Sequence, residues 1–163
     1  IRSFSKLKNY LKLYLIGNGK ELKRVRSLIR ELSLESRIKI LNNIDNNEKR
    51  YFLNKALFTV LPSTTSAESY GYVQVESMAQ GSPIISFDIK DSGVGEINKN
   101  QTGILLKVMK NIKDCENLLS EAINSLFEDR ERLKFYSQNC LLESKKYSSE
   151  KIFKIYKELF LNL

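Results

Sequence analysis

The chain has 163 residues, enough for one domain with a substantial core and too few for two large ones. Its net charge of +8 suits an anionic partner: a nucleotide, a phosphorylated polymer, nucleic acid or an anionic membrane surface. It contains no histidine, which excludes a His-based catalytic triad and a His-ligated metal site within these residues.

The first elements alternate an apolar run with an amphipathic one. The run LKLYLIGNG over 11–19 predicts a buried strand followed by a tight turn at Gly17 and Gly19. A helix should follow, because apolar residues then recur with helical spacing. That stripe consists of Leu22, Val25, Leu28, Ile29 and Leu32.

The next elements repeat this alternation. RIKIL over 37–41 predicts a short strand, and 46–56 predicts a short helix capped by Asn46 or Asn47. ALFTVLPS over 56–63 predicts a second buried strand.

A polar loop separates this strand from a helix over 71–81, which should end at Gly81 because Pro83 follows. We expect a strand over 83–88, a loop with one helical turn, and a last short strand over 103–106.

Two or three amphipathic helices close the chain. One stripe comprises Cys115, Leu118, Leu119, Ala122, Ile123 and Leu126, and another comprises Ile152, Ile155, Tyr156, Leu159 and Phe160. Cys115 and Cys140 lack metal-binding spacing, so we expect reduced core cysteines. The alternation of apolar strands with helices favours an α/β fold, with a parallel sheet covered by helices on both faces.

Two glutamates, Glu68 and Glu76, lie on either side of the predicted helix start. Ligands of open α/β sheets bind outside the carboxyl ends of the strands, and the loop that carries Glu68 leaves such an end. Backbone amides of Tyr70, Gly71 and Tyr72 should be free to attract a phosphate there. Glu76 should point back toward the loop. Both acids could then accept hydrogen bonds from sugar hydroxyls, although both could equally be ordinary surface acids.

Two stretches carry a family resemblance: LPSTTSAESYGYVQVESMAQGSPIISFD over 61–88 and SGVGEINKNQTGILL over 92–106. They resemble the donor-binding half of the retaining GT-B glycosyltransferases, the glycosyl transferases group 1 family. That family carries Pro-Ser, an acidic-Gly-aromatic-Gly turn, and a second Glu eight positions after the first, as Glu76 follows Glu68. A Met-Ala-x-Gly-x-Pro run, a Gly-rich turn with Glu and a Thr-Gly-Leu-Leu run follow in order. The resemblance covers nearly the whole chain.

The resemblance implies a Rossmann-like doubly wound parallel sheet, with 1–163 as the nucleotide-sugar-binding domain of a two-domain enzyme. Glu68 would contact the transferred sugar near its reacting carbon, and Glu76 would hold the ribose hydroxyls. The amides at Tyr70, Gly71 and Tyr72 would lie against the sugar and the pyrophosphate. The implied nucleotide contacts also include Gly17, Gly19, Lys39 and Ile40. Without the resemblance, Gly17 and Gly19 could be only a turn, and Lys39 a solvated charge.

The sequence departs from the family at three places. Ser69 replaces the usual Gly after the first Glu, and serine adopts positive φ less easily. Tyr70 replaces Phe, and the turn Ser92–Glu96 replaces Gly-Gly-x-Pro-Glu. The family's phosphate-binding Arg and Lys, and its acceptor-binding N-terminal domain, would lie upstream of Ile1.

The implied reaction is sugar transfer from a UDP- or GDP-sugar with retention at the anomeric carbon and without a metal. AQGSPIISFDI over 79–89 resembles bacterial envelope and teichoic-acid-type members, which implies a glycan, lipid-linked or polymer acceptor. No run of 18 apolar residues and no signal peptide is present, so we expect a cytoplasmic protein. The resemblance to envelope enzymes also implies peripheral contact with the inner face of the membrane.

Three other functions fit less well. A non-catalytic scaffold module remains open because of Ser69 and the missing upstream half. A dinucleotide oxidoreductase would need a third glycine where Leu22 stands. Nucleic-acid binding rests on charge alone, since the basic residues are not interleaved with aromatic ones.

Overall fold

The computed structural model describes residues 1–8, 10–98 and 101–161. The strands in these ranges are β1 (Leu13–Ile16), β2 (Ile38–Leu41), β3 (Thr59–Leu61), β4 (Ile84–Asp88) and β5 (Gly103–Lys107). The α-helices are α1 (Arg2–Ser5), α2 (Leu22–Glu31), α3 (Asn46–Lys55), α4 (Tyr72–Ala79), α5 (Val94–Ile97), α6 (Ile112–Glu128), α7 (Arg130–Ser144) and α8 (Ser149–Leu161). A 3₁₀ turn, Lys145–Tyr147, joins α7 to α8. Positions 99 and 100 of the predicted loop before β5 lie outside the described residues.

Every strand pair formed within the described ranges is parallel, which confirms the predicted α/β class. The strands form two hydrogen-bonded groups, one with the order β1-β2 and one with the order β3-β4-β5. Both groups share one apolar core, which includes Ile38 of β2, Leu61 of β3, and Ile85 and Phe87 of β4. The molecule is therefore a single packed unit with a sheet in two parts.

The prediction of a buried first strand was wrong for one face of β1. Side chains along β1 alternate between half-buried and exposed positions, and Tyr14 and Ile16 are 48% and 40% exposed. In β4, by contrast, Ile84 and Ile85 are completely buried. The reason is that β4 has strands on both sides, whereas β1 is bonded only to β2 among the described residues.

The cap of α3 also differs from the prediction. Asp45, rather than Asn46 or Asn47, accepts hydrogen bonds from the backbone amides of Asn47 and Glu48. The Glu48 side chain accepts in turn from the Asp45 amide, which completes a capping box. A carboxylate is favoured there because the helix start carries partial positive charge.

The predicted end of α4 and the predicted core cysteines are confirmed. Gly81 has φ of 71°, which glycine adopts at little cost, and the chain turns there into β4. Cys115 and Cys140 are buried free thiols, and burial raises the pKa of the Cys140 thiol to about 12.

The last helix, α8, is the element that packs least against the rest of the molecule. Every residue of α8 is exposed, including those of the predicted apolar stripe.

Candidate functional site

The predicted glycine turn and the first glutamate each follow the carboxyl end of a parallel strand. Gly17 directly follows β1, and the loop that carries Glu68 follows β3. A second loop, 89–93, follows β4 and leads into α5. Open α/β sheets bind their ligands outside the carboxyl ends of their strands, which is where these loops lie.

Glu68 lies across the start of α4. Its Oε1 atom accepts a hydrogen bond from the Gly71 amide at 3.0 Å, and α4 begins one residue later at Tyr72. We predicted that the Gly71 amide would be free, and that prediction was wrong, because a carboxylate is stabilised at the positive end of a helix. The amides of Tyr72 and Val73 find no hydrogen-bond partner among the described residues, as is usual in a first helical turn.

Gly71 is required at this turn by its backbone and by its neighbours. Its φ of 71° and ψ of 55° are left-handed, and a Cβ atom there would lie 2.7 Å from Cδ2 of Leu61. Ser69, in contrast, does not have positive φ. The serine that departs from the family pattern therefore causes no backbone strain.

Hydrogen bonds tie the Glu68 loop to the loop after β4. The Ser92 hydroxyl donates to the carbonyl of Glu68 at 2.7 Å, and the Gly93 amide donates to the carbonyl of Ser69 at 2.7 Å. Gln74 adds a link from α4, since its amide nitrogen donates to the Val94 carbonyl at 3.2 Å. These bonds fix both loops as one wall of the site.

The aromatic pair of the motif lies on this wall. The rings of Tyr70 and Tyr72 are 5.1 Å apart, and Tyr72 is 73% exposed. The Tyr70 ring also lies directly on Gly93, where a Cβ atom would come within 2.6 Å of it. Gly93 therefore permits a close approach that other residues would prevent.

Glu76 lies farther along α4 and forms an ion pair with α3. Lys49 Nζ donates to Glu76 Oε1 at 2.6 Å, and both side chains are partly exposed. Glu68 therefore caps the start of α4, whereas Glu76 lies in the middle of this helix and is held by the neighbouring helix α3.

The other predicted nucleotide contacts are more dispersed. Gly17 (φ 152°) and Gly19 lie in the turn after β1, with open space around both α-carbons. Lys39 and Ile40 lie within β2 rather than beyond its end. Because successive strand residues point to opposite faces, an exposed Lys39 and a half-buried Ile40 do not share a face. The role of each stays a prediction.

Sequence reasoning missed two residues of this region, Lys49 and Gln74, and it named Ser92 only as part of a turn, without its hydrogen bonds to the Glu68 loop. Lys49 is one of several basic residues on a solvated helix, so nothing in its local sequence distinguishes it as a residue of the site. Gln74 was detectable, because a polar residue between Val73 and Val75 in an amphipathic helix needs hydrogen-bond partners if it is buried.

Chemically, the site offers two carboxylates, an exposed aromatic ring and a helix start whose amides at Tyr72 and Val73 have no partner in the described part of the chain. Within the described residues, no group of three or more His, Cys, Asp or Glu side chains could hold a metal ion. In the same residues, no helix is long and apolar enough to cross a bilayer.

The parallel sheet, its helices and the glycine-turn site define a Rossmann-like α/β domain of the GT-B glycosyltransferase type. The chain belongs to the glycosyl transferases group 1 family, whose family model matches residues 1–140.

Similar proteins are bacterial glycan enzymes. A Campylobacter jejuni N-acetylgalactosamine-N,N'-diacetylbacillosaminyl-diphospho-undecaprenol 4-alpha-N-acetylgalactosaminyltransferase is 27% identical, over 93% of this chain and 39% of its own length. A Streptomyces coelicolor exopolysaccharide phosphotransferase is 28% identical, over 93% of this chain and 15% of its own.

Among solved structures, that of Anabaena HepE in complex with UDP superimposes with a TM-score of 0.83 at 21% identity. The match covers 99% of this chain and 43% of HepE, which has also been crystallised with UDP-glucose. The present chain therefore spans less than half the length of these three proteins.

Proposed function

We propose that residues 1–163 form the donor-binding domain of a retaining glycosyltransferase, which moves a sugar from a nucleotide-sugar to an acceptor. The acceptor-binding domain would be supplied by another part of a longer protein. Family membership supports the reaction class, and the partial coverage of the relatives supports a division of labour between two domains.

One observation carries the proposal: a carboxylate, Glu68, lies at the start of α4, where the next two amides have no partner within the described chain. The helix start attracts anions, so the donor diphosphate would bind against the amides of Tyr72 and Val73. Glu68 would then accept hydrogen bonds from hydroxyls of the transferred sugar. Glu76, fixed by Lys49, would accept from the ribose hydroxyls.

In the proposed reaction the bond between the anomeric carbon and the leaving phosphate breaks as the acceptor oxygen attacks from the same face. The acceptor proton passes to the departing phosphate oxygen, which requires no base from the protein. Glu68 positions the sugar, and donors at the helix start and upstream cationic groups stabilise the leaving diphosphate without a metal.

The proposed donor is a UDP- or GDP-sugar. UDP is supported by HepE, a neighbour of the same fold that was crystallised with UDP and with UDP-glucose. The proposed acceptor is a bacterial envelope glycan, lipid-linked or polymeric, as the names of both curated relatives suggest. With such an acceptor, the proposed reaction would take place in the cytoplasm, at the inner face of the membrane.

Two substitutions in the full-length protein test the site. Glu76→Ala should raise KM for the donor about tenfold to a hundredfold, because a charge-assisted hydrogen bond is worth about 1.5–3 kcal/mol. Glu68→Ala should lower kcat more than it raises KM, because its contacts lie near the reacting carbon. Steady-state kinetics with UDP- and GDP-sugars would measure both.

Glu121→Ala provides the control, because Glu121 is exposed on α6, outside the proposed site. Activity unchanged in both site variants would contradict the assignment of the two glutamates. A parent protein that binds nucleotide but transfers no sugar would favour the non-catalytic scaffold instead.

A further inference from the structure

A short segment at the end of β5 carries apolar and basic side chains in alternation. Its sequence over 107–113 is KVMKNIK, and it runs from the last residue of β5 into the first turn of α6. Met109 is 39% exposed and Ile112 is 61% exposed, although both are large apolar residues. Three exposed lysines lie beside them in the sequence: Lys107, Lys110 and Lys113. The 107–113 segment therefore combines an exposed apolar pair with positive charge.

The backbone of this segment is anchored, so the exposure of its two apolar side chains is a property of the fold. The Met109 amide donates to the Sγ atom of the buried Cys115 at 3.3 Å, and Val108 packs against the common core. The Asn111 side chain accepts from the Lys113 amide at 2.9 Å and caps α6. One apolar side chain of the segment thus serves the core, and the other two face solvent.

The positive charge of this segment is not neutralised by ion pairs. The segment contains three lysines and no acid, so its net charge is +3. Two acids border it: Asp88 is aligned with Lys107 in the β4–β5 ladder, and Asp114 lies in the first turn of α6. Within the described residues, neither acid forms an ion pair with the three lysines. The lysines can therefore bind an anionic partner.

The segment lies at the same end of the sheet as the Glu68 loop. Strands β3, β4 and β5 are parallel neighbours, so their carboxyl ends lie at one edge of this three-stranded group. The Glu68 loop follows β3, and the 107–113 segment begins at the end of β5. Neighbouring strands are about 4.8 Å apart, so the two strand ends are separated by about 10 Å. A surface bound to the segment would therefore lie beside the proposed sugar site.

An anionic bilayer is the partner that fits both kinds of side chain. Apolar side chains enter the boundary between headgroups and acyl chains, and lysines around them bind anionic headgroups. A nucleic acid would use the lysines but would leave Met109 and Ile112 exposed to water. A second copy of the chain, joined through the same segment, would bring two positive segments together, and they would repel each other.

We propose that the 107–113 segment is a membrane-contact site, which binds an anionic phospholipid bilayer through Met109, Ile112 and the three lysines. This inference rests on the proposed function, because a lipid-linked acceptor gives the contact its purpose. The contact would hold the sugar site beside the bilayer that contains the acceptor.

Vesicle co-sedimentation of the full-length protein tests the proposal without donor or acceptor. The probes are vesicles of equimolar phosphatidylglycerol and phosphatidylcholine, and neutral vesicles of phosphatidylcholine alone. Met109→Ser combined with Ile112→Ser should weaken binding to the anionic vesicles about tenfold or more, because less apolar area enters the bilayer. Phe135→Ser combined with Leu142→Ser is the matched control and should leave binding unchanged, since these exposed apolar side chains lie on α7.

The lysines are tested against a control of equal charge. Replacement of all three by glutamine should weaken binding to the anionic vesicles about a hundredfold, because each lysine near such a surface contributes about fivefold. The control replaces three exposed cationic residues in or next to α2 by glutamine: Lys20, Lys23 and Arg30. It should weaken binding by no more than about threefold, because charges beyond a Debye length from the surface contribute little.

Three outcomes would overturn the proposal. The first is equal losses in the two charge variants, which would show that binding follows net charge. The second is unchanged binding after the Met109 and Ile112 replacements, and the third is equal binding of the wild type to anionic and neutral vesicles. Failure of the proposed function is a separate result, because UDP binding is measured by calorimetry without vesicles. It should be the same in the wild type and in the variants of the segment.

Discussion

At the scale of single residues, the site depends on two glycines that serve different purposes. Gly93 provides space for the Tyr70 ring, whereas Gly71 provides a left-handed turn from which α4 begins. In both cases glycine has no side chain, so neighbouring groups can approach the backbone closely. The positions of Glu68 and Tyr70 follow from these two turns as much as from their own contacts.

Gly71→Ala should destabilise the fold by about 1–3 kcal/mol, because a non-glycine residue in a left-handed conformation is strained. The added Cβ would also contact Leu61. Gly19→Ala is a matched control, since its α-carbon lies in open space without positive φ. Urea denaturation of both variants measures the difference, and equal midpoints would show that the turn relaxes without cost.

Cys140 should remain an unreactive thiol in the folded chain at neutral pH. Burial raises its pKa to about 12, so the reactive thiolate is scarce at pH 8. In a Cys115→Ser variant, which leaves Cys140 as the single thiol, labelling with a disulfide reagent should require unfolding. Rapid labelling in native buffer would contradict the buried position.

The raised pKa of Cys140 also predicts how the stability of the fold changes with pH. The folded state favours the neutral thiol of Cys140. The contribution of this thiol to the stability of the fold is therefore complete below the ordinary thiol pKa of 9.0. It should be lost as pH rises from there toward about 12, because the unfolded chain ionises first. A Cys140→Ala variant should show a weaker decline in stability over this range in urea titrations.

At the scale of elements, the spacing of apolar residues predicted the positions of the helices better than it predicted the burial of the strands. The stripe of α2 and the glycine that ends α4 are local signals, and both elements lie where the sequence predicted them. The exposure of β1 could not be predicted, since it depends on a neighbouring strand rather than on residues 11–19. Gln74 and Lys49 were missed because their partners, Val94 and Glu76, are distant in sequence.

α8 should be dispensable for folding and should promote self-association. Its apolar side chains are exposed, with Phe153 and Phe160 each 71% accessible. Removal of 149–163 should therefore change the free energy of unfolding little, because little apolar area is lost from the core. Thermal denaturation tests this, and a large fall in Tm would show that α8 packs on the domain.

Self-association can be tested with a matched pair of α8 variants. Replacement of Phe153 and Phe160 by serine should abolish concentration-dependent association in analytical ultracentrifugation, because exposed apolar patches drive it. Replacement of Lys154 by serine, on the polar side of the same helix, should leave it unchanged. Equal effects of the two changes would exclude the apolar face as the contact.

At the scale of the whole molecule, the fold class, the family and the approximate position of the Glu68 loop could all be predicted from sequence. The ordered motif from Pro62 to Leu106 contains enough fixed spacings to specify them. The division of the sheet could not be predicted, because each strand segment looks complete by itself. Only the register of Leu13 against Ile38 and of Thr59 against Ile84 shows which edges are occupied.

The division of the sheet also has a consequence for how the molecule loses its structure. Among the described residues, the β1-α2-β2 portion is joined to the remainder by side-chain packing and by connecting segments, without a ladder of backbone hydrogen bonds between the two groups of strands. Such a junction is weaker than a continuous ladder, so this portion should come apart as a separate cooperative unit before β3-β4-β5. Unfolding would then pass through a partly ordered intermediate, and each substitution would change the free energy of the step in which its own part of the molecule unfolds.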